Sequence, residues 1–231
     1  METTHFHNKS LGEIVAYDFR TAEVFKQSGI DFCCGGKKNL QEACAEKSIE
    51  VDQLVVKLQE ITSSPASNAQ NFKAWKLDFL ADYIVNTHHE YVLKQLPELV
   101  FYTNKIADVH GAHHPELIQV ANLFEKINVE LLQHLKMEEE VLFPAIKEAL
   151  KSNSAKAKES IQSEISRMFG EHDFAGGAMD QIRILTNDYA VPADSCNTYA
   201  VALKLLEQFE DDLHTHVHLE NNILFPKALA L

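Results

Sequence analysis

Apolar residues recur at helical spacing along almost the whole chain. Leu11, Ile14, Val15, Phe19, Val24 and Phe25 mark a first amphipathic stretch, which Ser28-Gly29 breaks. Ile30-Asp-Phe-Cys-Cys-Gly-Gly36 reads as a loop, and Ile49, Leu54, Val55, Leu58 and Ile61 mark a second helical pattern. Residues 62–71 are small, polar and aperiodic, as a linker would be. From Phe72 to Leu231 the helical pattern is interrupted three times, at His110–Pro115, Lys151–Ser154 and Asn187–Asp194. Four segments of roughly 30 residues with short connections predict antiparallel neighbours. Pro97, Pro144 and Pro226 fall inside or near the ends of these segments, where kinks or terminations are expected. The expected fold is all-α. A small helical, Cys-containing domain over 1–61 and a linker over 62–71 precede an up-down-up-down four-helix bundle over 72–231.

Composition narrows the functional classes. Eight Gly and six Pro in 231 residues are too few for an all-β fold, which needs a turn every ~8–12 residues. A net charge of −13 with no Lys/Arg cluster offers nothing to a phosphate backbone, so no nucleic-acid partner is expected. No apolar run reaches the ~18 residues of a membrane span, so no membrane partner is expected either. Met1-Glu-Thr-Thr-His-Phe-His7 has neither a basic nor an apolar leader region, and four Cys do not make a disulfide framework. A cytoplasmic location is the resulting expectation.

The informative residue is His, of which there are twelve. His134-Leu-Lys-Met-Glu138-Glu-Glu-Val-Leu-Phe-Pro144 matches His216-Val-His-Leu-Glu220-Asn-Asn-Ile-Leu-Phe-Pro226 at an offset of 82 residues. His172 shifted back by 83 lands on His89. The bundle therefore reads as two copies of one unit, a helix with a lone His followed by a helix with His-x-x-x-Glu. Residues i and i+4 share a helix face, so each His-x-x-x-Glu offers a nitrogen and a carboxylate to one point. Counting from the interruptions at about 1.5 Å per residue puts His89, His134, Glu138, His172, His216 and Glu220 near one height. Four imidazoles and two carboxylates buried together without a metal would be costly. A dinuclear centre of iron, manganese or zinc removes that cost, and carboxylate-rich dimetal sites inside four-helix bundles are a known solution.

These motifs carry a resemblance. Asp31-Phe-Cys-Cys-Gly-Gly36, His88-His-Glu, Leu96-Pro-Glu-Leu99, the two His-x-x-x-Glu stretches and Glu171-His-Asp span nearly the full chain. The bundle resembles hemerythrin-like domains, and the whole chain resembles the RIC family (Repair of Iron Centres, the YtfE/ScdA type). The resemblance implies a non-haem centre of two iron ions, oxo- and carboxylate-bridged, on His89, His134, Glu138, His172, His216 and Glu220. The count back from Leu96-Pro97 favours His89 over His88. It also implies a role in restoring iron–sulfur clusters damaged by nitrosative or oxidative stress, with damaged iron–sulfur proteins as partners and nitric oxide, oxygen or peroxide as small-molecule partners. The chain would act as a monomer or homodimer. The oxygen carrier hemerythrin differs at two places. It has a fifth His where this chain has Gly176, and an Asp five residues after the last His where this chain has Glu220 four after His216. Fewer nitrogens and more open positions suit iron donation or reaction with nitric oxide better than oxygen storage. Three alternatives compete with repair: a di-iron enzyme reducing nitric oxide or peroxide, a small-gas sensor, and a metal-free helical module.

The remaining candidates have plainer readings. Cys33 and Cys34 form a vicinal pair that is not a Cys-x-x-Cys motif. Neighbouring cysteines rarely close a relaxed disulfide, so reaction with a redox partner, a nitrosyl group or transferred iron is their expected use. Cys44 is expected to be structural and Cys196 incidental. His110, His113 and His114 are expected on a surface turn. His214 and His218 are expected to be solvated or to back the ligands, and His88 to face away. Glu139 and Glu140 read as solvated charge, Glu171 and Asp173 as electrostatic neighbours of His172. Trp75 and the Phe residues read as core or packing against the N-terminal region.

Overall fold

The computed structural model describes residues 6–63 and 71–231. The leader reading at residues 1–5 and residues 64–70 of the expected linker lie outside the described residues. Among the described residues the regular elements are helices, and an isolated bridge joins Ser10 and Asn39. It folds into two compact units, Met1–Leu80 with Val217–Ala230, and Ala81–His216 with Leu231.

In the first unit, α1 (Leu11–Tyr17), α2 (Thr21–Gln27), α3 (Leu40–Glu46) and α4 (Val51–Ser63) are short helices fixed by their ends. Ser10 with Glu13 and Asn39 with Glu42 each form a reciprocal capping box, which satisfies amide donors that a helix start leaves bare. The first amphipathic stretch is two helices rather than one. Asp18 turns extended and its carboxylate grips the Arg20 guanidinium, so the break comes from an ion pair, with no Gly or Pro to announce it. Gly29 takes φ +62 just beyond α2, the left-handed step a helix exit favours. Leu11, Ile14, Phe25, Leu40, Cys44, Leu54 and Leu58 form the core of this unit. Phe19 meets Phe72 edge-on at 5.8 Å, and Trp75 lies 4.8 Å from Phe72 and 4.9 Å from Phe79. Lys227 donates to the carbonyls of Lys73 and Trp75.

The second unit is built from long rods. α5 (Leu77–Ile84) passes through a π turn at Val85–His89 into α6 (Glu90–His110). α7 (Glu116–Met137) passes through a π turn at Glu138–Leu142 into α8 (Phe143–Ser152). α9 is Ala155–Leu185, and α10 is Asn197–Leu219. The residues after His216, including a third π turn at Glu220–Leu224 and α11 (Phe225–Leu229), belong to the first unit. Asn153 in the left-handed region ends α8, and the Ser154 side chain caps α9. The chain forms the expected hemerythrin-like up-down-up-down bundle with a small helical N-terminal part. Leu96, Phe124, Ile127, Ile161, Met179, Leu206 and Phe209 are among its fully buried residues. Phe124 and Phe209 pack edge to face at 5.4 Å, tying α7 to α10, and Arg183 pairs with Glu210 between α9 and α10. No helix among the described residues is long and apolar enough to cross a membrane.

Candidate metal centre

The π turns are the local feature that places the site. A π turn runs its hydrogen bonds from i to i+5 and fits one extra residue into a helix. Two of the three are followed within two residues by a proline, Pro144 and Pro226. Proline has no N–H to donate and its ring crowds the carbonyl four residues back, so a widened turn is a natural relief. Each π turn carries a predicted ligand, namely His89, Glu138 or Glu220.

Inside the bundle unit, five of the predicted residues come together. His89 Nε2 lies 3.3 Å and His134 Nε2 lies 3.4 Å from the same atom, Glu138 Oε2. His172 Nε2 is 3.2 Å from His134 Nε2, and the His89 and His216 rings are 5.0 Å apart. Donor atoms of His89, Glu138 and His216 all lie within 4.8 Å of one another, and so do those of His134, Glu138 and His172. All five are at most 2 % exposed. Glu138 belongs to both sets. Glu220 is fully buried four residues after His216 on the same unbroken helical run.

The far sides of the imidazoles are held by carboxylates. His89 Nδ1 is 2.8 Å from Glu139 Oε1, and His134 Nδ1 is 2.7 Å from Glu171 Oε2. A carboxylate on Nδ1 fixes the proton there and leaves the Nε2 lone pair aimed at Glu138. The His134 hydrogen bond holds the Glu171 carboxyl below its ordinary pKa, with Arg167 adding to the effect. Buried imidazoles with carboxylate-fixed tautomers and a shared carboxylate fit a bound metal cation, and N/O donors of this kind suit iron, manganese or zinc.

Several expectations need correction. His88 does not face away. It is 4 % exposed, its Nδ1 is 2.9 Å from Asp212 Oδ1, and its ring stacks on His216 at 5.6 Å. The extra residue in the π turn lets two consecutive histidines both turn inward. Glu139 is exposed but is not merely solvated charge, since it anchors His89. His218 is fully buried, with Phe19 and Phe32 rings at 6.0 and 5.7 Å, and burial pushes its pKa down to about 3. His214 is half-buried. Cys196 is exposed, but it is tied to the surface turn: His110 Nε2 lies 3.2 Å from its sulfur and lowers the thiol pKa to about 7. His114 on the same turn sits between Glu116 and Asp194, which raise its pKa.

In the N-terminal unit Cys33 is buried and Cys34 half-buried, with their sulfurs 3.8 Å apart. Cys34, burial and Asp31 together push the Cys33 thiol well above its ordinary pKa. This is the opposite of an activated nucleophile. The loop is pinned from the third π turn, an interaction the sequence reading missed. Asn222 Nδ2 lies 3.2 Å from the carbonyls of Phe32 and Cys33, and Asn221 Nδ2 lies 3.4 Å from that of Cys33. A Cβ added at Gly12 or Gly36 would lie 2.2 or 2.3 Å from Asn222 Oδ1, so both positions need glycine while Asn222 stands there. Cys44 is fully buried in α3, as a structural residue would be.

Comparisons with known proteins agree with this architecture. Residues 7–62 match the ScdA_N domain, a domain of unknown function, and residues 80–228 match the hemerythrin HHE cation binding domain. The chain is 36 % identical over 225 residues to an iron–sulfur cluster repair protein YtfE of Musicola paradisiaca, covering 97 % of this chain and 98 % of that one. It is 35 % identical over 224 residues to the protein of the same name from Pectobacterium atrosepticum, and 34 % identical over 224 residues to that from Yersinia pestis, at the same coverage.

Proposed function

Since this chain belongs to the family of the YtfE iron–sulfur cluster repair proteins, we propose that it repairs damaged iron–sulfur clusters by supplying iron from a dinuclear site in its bundle. The residues that would hold the two ions are His89, His134, Glu138, His172, His216 and Glu220. The observation that carries this reading is the position of Glu138, common to two buried donor sets whose histidines are backed by Glu139 and Glu171. The four histidines would supply nitrogen donors and Glu138 and Glu220 carboxylate donors to the metal. Six protein donors for two ions leave positions at which a small molecule or an acceptor can take hold, which favours release over permanent storage. Cys33 and Cys34 are the thiols through which iron or a redox partner would pass. The site works in the cytoplasm on damaged iron–sulfur proteins. The names of the relatives favour repair over the nitric-oxide-reducing, peroxide-reducing and gas-sensing alternatives.

Two measurements on protein purified without air or chelator test the proposal. Metal analysis is expected to find two irons per chain, lost in the His134→Ala, Glu138→Ala double variant. The loaded protein is expected to restore activity to an iron–sulfur dehydratase inactivated by nitric oxide, and the double variant is not. A single zinc indifferent to the double substitution would overturn the dinuclear reading, and equal rescue by both proteins would overturn the repair reading.

A further inference from the structure

The Asp31–Cys33–Cys34 loop places three donors of metal-binding type around one point. Cys33 Sγ is 3.1 Å from Asp31 Oδ1 and 3.8 Å from Cys34 Sγ, and all three donor atoms lie within 4.8 Å of one another. Two thiolates bound tetrahedrally at ~2.3 Å from one ion stand about 3.8 Å apart, and a carboxylate oxygen on the same ion stands within about 3.5 Å of each sulfur. The sulfur spacing, at which one thiol also donates to the other, is the spacing a shared ion would need.

The loop is built to hold this arrangement. Asp31 Oδ1 accepts from the backbone N–H groups of Cys33 and Cys34, and Oδ2 accepts from that of Gly35. Asn221 and Asn222 fasten the carbonyl side of the same residues. Little rearrangement is left for an ion to impose, so the ordering cost of binding is small. The charges favour a cation as well. The neighbouring Cys34, burial and Asp31 disfavour a Cys33 thiolate in the absence of a cation, and a divalent ion reverses that balance. Cys33 forms the buried floor while Asp31 is exposed and Cys34 half-buried, so the open coordination position faces solvent.

We infer that Asp31, Cys33 and Cys34 form a mononuclear site for a thiophilic divalent transition cation, Fe²⁺ or Zn²⁺ in class, separate from the histidine–carboxylate centre. Binding exchanges protons for metal: the ion and two thiols give a dithiolate–carboxylate complex and two protons released to buffer, with no change of oxidation state. Water or a donor from an incoming protein completes the fourth position. Occupation by metal stands independently of the bundle; use of the site as a way station for iron leaving the protein rests on the repair reading.

Co²⁺ is the probe, titrated anaerobically into the full chain. Two thiolates on one Co²⁺ give a sulfur-to-cobalt charge-transfer band in the near ultraviolet, which the bundle donors, having no sulfur, cannot produce. The band is expected to saturate at one Co²⁺ per chain and to persist in the His134→Ala, Glu138→Ala variant. It should disappear in Cys34→Ser, ignore Cys196→Ser, and need at least ~10-fold more Co²⁺ in Asp31→Asn, which removes a charged ligand. Because Cys34 is half-buried, its replacement spares the core, and an unchanged far-ultraviolet dichroism spectrum checks that the variant is folded. No band, or one indifferent to Cys34→Ser, overturns the inference. Iron found in the bundle with no cobalt band refutes this site alone; a cobalt band with no iron in the bundle refutes the dinuclear reading alone.

Discussion

The two copies of the His-x-x-x-Glu helix share the His, the Glu and the aliphatic-Leu-Phe-Pro stretch that follows, and differ at the positions between and just after the His and Glu. In the first, Glu138 is followed by Glu139 and Glu140, both exposed, and Glu139 reaches back to His89. In the second, Glu220 is followed by Asn221 and Asn222, whose amides hold the carbonyls of Phe32 and Cys33. Two residues after the histidine, the first copy has an exposed Lys136 and the second a buried His218 among phenylalanines. The chemistry aimed at the centre is duplicated, whereas the residues just past it are specialised. One copy tunes a ligand, and the other carries the cysteine loop. A duplicated motif thus defines a metal-binding core, and the places where the copies stop matching show what each half does besides.

The largest test of the shared half removes Glu138. If the proposed dinuclear site holds, Glu138→Ala, which removes a member of both donor sets, should release both ions, whereas His172→Ala, which strips a donor from one set, should leave the other ion in place. Metal analysis after gel filtration reads the difference. If both variants lose the same amount, Glu138 does not bridge and the two copies are not equivalent halves of one centre.

Next in size is an exchange between the copies. His218→Lys gives the second copy the residue of the first and places an ammonium among Phe19 and Phe32. Burying an unpaired charge should lower stability by about 3 kcal/mol or more, and Lys136→His on the exposed face should stay within about 0.5 kcal/mol. Urea unfolding of the two variants measures the contrast, and equal effects would mean that the burial difference between the copies is of no energetic consequence.

How much of this was legible in the sequence follows from the range of each interaction. His134 with Glu138 and His216 with Glu220 are visible because i,i+4 spacing is a property of the helix alone. The bundle is visible because its interruptions at His110–Pro115, Lys151–Ser154 and Asn187–Asp194 carry Gly, Pro, Asn or Ser. The inward turn of His88 is not, because a π turn changes the phase of the helix and simple 3.6-residue counting cannot anticipate it. The break between α1 and α2 rests on the Asp18–Arg20 pair, which has no punctuation residue. Asp212 on His88 and Asn222 on Cys33 join residues 124 and 189 positions apart, beyond any local pattern. Asp31 stood in the cysteine motif, yet its grip on three consecutive amides depends on the loop's path rather than its composition.

The specialised residue of the first copy is tested by Glu139→Gln, which keeps the shape and removes the charge that fixes the His89 tautomer. Partners behind a ligand are typically worth about 10–100-fold in metal affinity, and Glu139→Gln should weaken metal retention by that order in a chelator competition. Glu140→Gln, one residue on and with no such role, should leave retention unchanged. A null result for Glu139 would reduce the first copy to its two ligands.

The smallest effect belongs to the second copy's own specialisation. Asn222→Ala removes donors to the Phe32 and Cys33 carbonyls, and neutral hydrogen bonds contribute about 0.5–1.5 kcal/mol each. Thermal unfolding should show a loss of about 1–3 kcal/mol, with the iron content of the bundle unchanged. The same substitution opens the space that a Cβ at Gly36 would need, since the atoms at 2.3–2.9 Å all belong to the Asn222 side chain. Gly36→Ala alone should therefore be more damaging than Gly36→Ala combined with Asn222→Ala, when each is compared with its own parent. That reversal distinguishes a clamp on the cysteine loop from general weakening of the helix end, because a helix that merely frays would show two additive losses.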